Sequence, residues 1–201
     1  VYSAVIPGLN LVPGQMLRWR MEAQEGGSGR TGNLPLYADP KASARYFGTA
    51  VRNDSVSTAL PRWQYWLELP VKGETRAGTR ASVYYNAEFY DNVFVRIRGG
   101  SSAWYPKKSY KFDFNNGDRF FLEESGRKVD EINLNTTWSD KAFIRQTLCY
   151  ELYEACGAAG CLSYMARLQQ NAEFFSVCAF IDEPDEDLLA RCDLDLDGAL
   201  Y

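Results

Sequence analysis

The sequence predicts an α+β domain, an antiparallel sheet accompanied by one long helix. Three observations carry that expectation. Residues 82–98 form two apolar-polar alternating runs around a tight Asn86-Ala87 turn, the pattern of a β-hairpin. Residues 107–114 alternate again: Lys108, Tyr110, Phe112 and Phe114 share one face, and Lys107, Ser109, Lys111 and Asp113 the other. Within 140–156, Ile144, Leu148, Leu152 and Ala155 recur at helical spacing.

The remaining elements follow in order. Residues 1–60 read as an irregular N-terminal extension, punctuated by Pro7, Pro13, Pro35 and Pro40, that wraps the domain formed by 61–201. Residues 16–21 suit a short strand, and the Gly-rich stretch 25–33 a loop. Residues 63–71 read as a strand. In the hairpin's second strand Phe94, Arg96 and Arg98 lie on one face and Val93, Val95 and Ile97 on the other. The run Asn115-Asn116-Gly117-Asp118 is a strong turn signal, and 129–134 a further strand. Ser139 is placed to cap the long helix, and Gly157 and Gly160 to end it. Strands at 162–169 and 174–181 are joined by a turn at 170–172. Pro184 stops the second, and 185–191 suit a short helix.

Composition excludes several chemistries. The 201 residues contain no histidine, so neither a Ser-His-Asp arrangement nor a histidine zinc site can be built. Chemistry must rest on Lys, Arg, carboxylates, Ser, Tyr or Cys. A net charge of −4 argues against a general nucleic-acid binder, and no apolar run approaches the length of a membrane span. The five cysteines contain no CxxC spacing; Cys156 and Cys161 alone stand close enough to pair across a turn, and burial as small apolar side chains is the simpler reading. The chain starts at Val1 without Met and stops at Tyr201 after an Asp-Gly pair, and so reads as open at both ends.

Gly27-Ser28-Gly29-Arg30-Thr31-Gly32 fits GxGxxG, but prolines rather than a helix follow it, so it reads as a surface loop. Asp193-Leu194-Asp195-Leu196-Asp197-Gly198 fits the opening of a calcium loop without the flanking helices such a loop needs. Two glycosylation sequons, at Asn53 and Asn135, carry no weight alone. The richest segment runs from Arg96 to Phe114. It leaves a strand at Arg98, turns through Gly99-Gly100-Ser101-Ser102 and enters a strand through Lys107 and Lys108. Glycines let backbone N–H groups approach an oxyanion, hydroxyls add donors, and Arg and Lys supply charge, so the segment has the chemistry of an anion cradle, against the plainer reading of a hairpin with solvated basic residues. Glu151, bordering the helix stripe, is a candidate partner for the inward Lys108, in the manner of a kinase lysine–glutamate pair.

RGGSSAWYPKKSYKFDF resembles the RG-x-SS…PKKSY segment of the CotH family, the spore coat protein H kinases. SDKAFIRQTLCYELYEACG is similar to that family's Arg-containing helix, QNAEFFSVCAFIDEPDEDLL to its NGEYxGxYxLxExxDxxFL stretch, and DLDGALY to its DGxLYK ending. The likeness covers about 61–201, with residues 45–49 similar to a leader seen in some members. It implies a protein-kinase-like N-lobe with the second lobe missing. The implied activity is transfer of phosphate from ATP, with Mg or another divalent metal, to Ser of protein partners, in a protein secreted or attached to a spore coat or cell surface. By position, Arg98, Gly99, Gly100, Ser101 and Ser102 are implied to contact phosphate, Lys108 (less so Lys107) to be the nucleotide lysine, Glu151 its helix partner, and Asp182 and Glu183 the hinge near adenine. Ala172, Ser176, Cys178 and Asp182 depart from the family's usual residues. Catalytic and metal-binding aspartates are expected downstream of Tyr201. The rival expectation is a non-catalytic surface or adhesion module using Trp63, Trp66, Tyr84, Tyr85 and Trp104 for contact.

Overall fold

The computed structural model describes Val5 and residues 7–198. Its centre is a closed seven-stranded barrel. Four short strands precede it: β1 (Met16–Trp19), β2 (Met21–Gln24), β3 (Thr31–Leu34) and β4 (Phe47–Ala50). They form two two-stranded sheets, β1 with β4 and β2 with β3. The expected strand at 16–21 is thus split between two sheets, and the GxGxxG stretch is the turn of the β2–β3 hairpin. Next come β5 (Arg62–Leu67), the single-turn helix α1 (Pro70–Gly73), β6 (Thr79–Tyr85), β7 (Glu88–Ile97) and β8 (Tyr110–Asp113). A small hairpin, β9 (Phe120–Leu122) with β10 (Arg127–Val129), leads to β11 (Glu131–Asn135). The helix α2 (Arg145–Ala155), strands β12 (Ser163–Gln170) and β13 (Glu173–Asp182), and the helix α3 (Glu186–Arg191) complete the chain.

The barrel order is β11-β13-β12-β5-β6-β7-β8, closed by β8 pairing with β11. All pairs are antiparallel except β12 with β5. Closure leaves no free sheet edge, which a strand-rich chain of this size would otherwise have to protect. The expected kinase-like N-lobe, an antiparallel sheet with one long helix, is therefore corrected: the fold is mostly β and closed, and the longest helix has 11 residues. The physical reason lies in the lumen. Trp63, Tyr65, Phe112, Phe120 and Phe180 are all fully buried, and they fill the interior as tilted, edge-on and stacked pairs, Trp63 lying tilted 5.2 Å from Phe120 and stacked 5.9 Å from Phe180. An interior this wide and this aromatic is enclosed by strands on all sides.

Local chemistry sets the register. Asn86 and Ala87 have φ of 47° and 66°, the left-handed pair that a two-residue hairpin turn requires. Asn171 and Ala172 repeat it between β12 and β13. Asn171 also joins that turn to β5: its N–H donates to the Tyr65 carbonyl at 2.9 Å, and its side-chain carbonyl accepts from the Leu67 N–H at 2.9 Å.

The helix α2 starts later than expected and turns a different face to the barrel. Asp140, not Ser139, organises its start, accepting from the N–H groups of Arg145 at 2.8 Å and Ala142 at 3.0 Å. The apolar stripe is outward: Ile144, Leu148 and Leu152 are 40%, 50% and 60% exposed. The buried residue is Thr147, whose hydroxyl meets the Ser163 hydroxyl at 3.0 Å. The outer face of β12 offers Ser163 and Met165 at this contact, so a hydroxyl finds a partner there. A second, smaller apolar cluster, Cys161, Ala179, Ile181 and Leu188, joins the barrel wall to α3. All five cysteines are free.

Candidate functional site

The RGGSS segment sits at the rim where β7 ends and β8 begins. Its geometry depends on one glycine. Gly99 has φ of +95°, and a Cβ there would stand 2.0 Å from the Ser102 hydroxyl oxygen. Residues Ser101–Trp104 then form one 3-10 turn. The turn is tied back from two sides: the Arg76 guanidinium donates to the Gly99 carbonyl at 2.6 Å, and Lys108 Nζ donates to the Ala103 carbonyl at 3.0 Å. Lys107 crosses the outer wall to donate to the Val177 carbonyl and, at 3.4 Å, to the Thr137 hydroxyl.

Beside this turn opens a cleft of about 240 Å³, bordered by Arg98, Ser102, Tyr105, Ser109, Asn135 and Gln146 among others. Arg98 Nη1 donates to Asn135 Oδ1 at 3.0 Å, and Asn135 Nδ2 donates to Gln146 Oε1 at 3.4 Å. The first turn of α2 thereby orients the guanidinium through one intervening amide. Buried Ser109 accepts from the Thr136 N–H at 2.8 Å, fixing β8 to the segment after β11. Among the described residues, Arg76, Arg98, Lys107 and Lys108 take part in no ion pair; the contacts above are all to neutral oxygens. No carboxylate lines the cleft.

The structure brings Arg98, Gly99, Gly100, Ser101, Ser102, Lys107 and Lys108 to this one rim. It does not bring Glu151 there as a lysine partner: Glu151 is exposed on α2 and forms no ion pair with either lysine. Asp182 and Glu183 lie toward the opposite rim. Asp182 pairs with Ile132, three positions along β11 from Asn135. The buried Asp182 carboxylate meets Arg191 at 3.1 Å, and burial still pushes its pKa up to about 6. Glu183 pairs with Lys111 at 3.3 Å and accepts from the Asn133 amide. Sequence reasoning missed Arg76, Ser109, Asn135 and Gln146. Ser109 stood in the PKKSY segment, Gln146 in the Arg-containing helix stretch and Asn135 in a sequon, but none of these patterns says anything of a role toward arginine.

Other readings fare differently. Trp63 and Trp66 are buried, Tyr85 stacks on Trp63 at 4.7 Å, and only Trp104 of the aromatics read as contacts is largely exposed, at 87%. In the stretch that fits a calcium loop, the Asp195 carboxylate accepts from the Asp197 N–H at 3.0 Å. The acidic group with ligand-like spacing among the described residues is instead Asp130, Asp185 and Asp187. There Asp185 already caps α3, and Asp130 faces Arg119. No described helix is long and apolar enough to cross a membrane.

The family model described as CotH kinase protein matches residues 95–201, which holds the whole RGGSS rim, the cleft and α2. The chain belongs to the CotH kinase family. The match starts inside β7, so β5 and β6 complete the same barrel from outside it. No curated protein matches the chain.

Proposed function

We propose that the rim from Arg98 to Lys108 grips the phosphates of ATP, as part of a protein kinase that transfers phosphate to Ser of a secreted or surface-attached protein partner. The observation that carries this reading is Arg98 bordering a cleft that, among the described residues, holds no carboxylate, with Arg76, Lys107 and Lys108 on the same rim bonded to neutral oxygens and in no ion pair. In a chain of net charge −4, cations held only by neutral oxygens keep their full attraction for an anion. ATP supplies the phosphoryl group. Arg98, held in place by Asn135, presents its free N–H groups to a phosphate oxygen, Ser102 adds a hydroxyl, and Lys108 stabilises the turn that carries it. Phosphoryl transfer depends chiefly on positioning and charge stabilisation, so a rigid cationic rim is a fitting contribution. The cleft does not fit a divalent metal, because hard cations take carboxylate oxygens and none is there. At Asp182 and Glu183 the adenine contact falls to backbone groups, since both carboxylates are paired, with Arg191 and Lys111.

Calorimetric titration of ATP into the chain and into Lys108→Ala tests the binding. The expected result is binding by the parent chain, weakened severalfold in the variant, with an unchanged thermal melt. Equal ATP affinity in both would remove Lys108 from the site. Absence of any heat with the parent chain would remove the site itself.

A further inference from the structure

A second cavity lies at the other rim, where β7 begins and β8 has ended. It measures about 510 Å³, the size of a small-molecule site. Its walls mix polar residues with apolar ones, among them the rings of Trp19, Tyr46, Phe47 and Phe89. Trp19 and Phe47 face each other across the β1–β4 pair, ring centroids 6.4 Å apart, and remain 41% and 38% exposed. Leu36 and Phe89 extend the wall. Phe89 lies directly on Gly48, where a Cβ would come within 2.3 Å of the ring, so the absence of a side chain at 48 sets the depth of this wall.

The charged part of the lining is acidic. Glu88 and Asp118 border the cavity, and no Lys or Arg does. Asp118 is half-buried and, among the described residues, forms no ion pair and accepts no side-chain hydrogen bond. Its pKa is raised, first by burial and then by the nearby Glu88 and Asp91, with Lys128 offsetting part of the effect. A half-buried carboxylate that makes no direct ion pair, beside exposed ring faces, is the pairing that recognises an organic cation: the rings attract it through their quadrupoles and the carboxylate by charge.

We propose that this cavity, bounded by Trp19, Leu36, Phe47, Phe89, Glu88 and Asp118, binds a small organic ammonium ion, with its apolar body against the rings and its cationic nitrogen toward Asp118. The site is separate from the anion rim and does not depend on the kinase reading. Benzylammonium and benzyl alcohol, alike in shape and different in charge, are the probes, titrated into the chain by calorimetry at neutral pH. Benzylammonium is expected to bind on the order of tenfold more tightly than the alcohol. Asp118→Asn abolishes that difference, and Trp19→Ala weakens both. Glu88→Gln, an exposed change that leaves folding intact, lowers the preference by a smaller factor and serves if Asp118→Asn proves unstable. Equal affinity for the two probes overturns the proposal, as does an undiminished preference in both carboxylate variants or binding of a neutral saccharide such as methyl glucoside in preference to either probe.

Discussion

The rim where β7 ends and the rim where it begins are carried by the same strands, yet one holds Arg98 in a polar cleft with Arg76, Lys107 and Lys108 on the adjoining turn, and the other sets Glu88 and Asp118 in a cavity partly walled by aromatic rings. Neither set of charges is neutralised by its neighbours. The outer wall of the barrel behaves otherwise: Lys111 is paired with Glu131 and Glu183, and Arg191 with Asp182. The contrast teaches that the closed wall supplies a stiff, satisfied frame, while the connections at its two ends hold the charges left free for ligands.

The largest effect should come from breaking the frame shared by both rims. Phe180 packs against Trp63, Phe120 and, at 4.4 Å, Tyr164. Phe180→Ala should cost about 3–5 kcal/mol in denaturant unfolding and weaken ligand binding at both ends together. Loss at one end alone would mean that the rims do not share a frame. Next, Arg98→Ala should separate the rims. Losing a charge-assisted contact of about 1.5–3 kcal/mol lowers ATP affinity roughly tenfold to a hundredfold in calorimetry, with benzylammonium binding unchanged. Gly99→Ala should cost about 1–2 kcal/mol of stability, because an L residue is strained at that φ and its Cβ displaces Ser102. Its ATP affinity should fall through the altered turn.

The smallest effect lies between the rims. Burial, reinforced by Glu131, pushes the Asp113 pKa up to about 6, and burial likewise raises Asp182 to about 6, both from an ordinary value of 3.8. The folded state therefore holds these protons more tightly than the unfolded chain. Their contribution to stability is fully present below about pH 3.8 and is lost as pH rises through about 6. Asp113→Asn should flatten the dependence of unfolding free energy on pH within that window. An unchanged slope would show that Asp113 titrates normally.

Much of the strand layout was legible because it is written locally. Alternation in 107–114 placed Tyr110, Phe112 and Phe114 inside, and both tight turns, at Asn86-Ala87 and Asn171-Ala172, lie where the sequence put them. Closure was not legible. It rests on the parallel β12–β5 pair, which joins segments about a hundred residues apart and leaves no local pattern. The stripe on α2 misled for a related reason: periodicity reports that Ile144, Leu148 and Leu152 share a face, not which way the face points. At the site, RGGSS and the two lysines stood out by residue type. Asn135 and Gln146 did not, since their part comes from tertiary contacts with Arg98 and with each other. The acidic cavity was invisible because its walls come from five separate stretches of chain.

The claim that the Arg98 rim is the nucleotide-phosphate site is tested most directly by amide chemical-shift mapping during an ATP titration. The account predicts saturable shifts at Gly99–Ser102, Ser109, Thr136 and Gln146, with Phe47 and Asp118 at the opposite rim unmoved. Saturable shifts confined to Phe47 and Asp118, or no shift at Gly99–Ser102 at millimolar ATP, would contradict it.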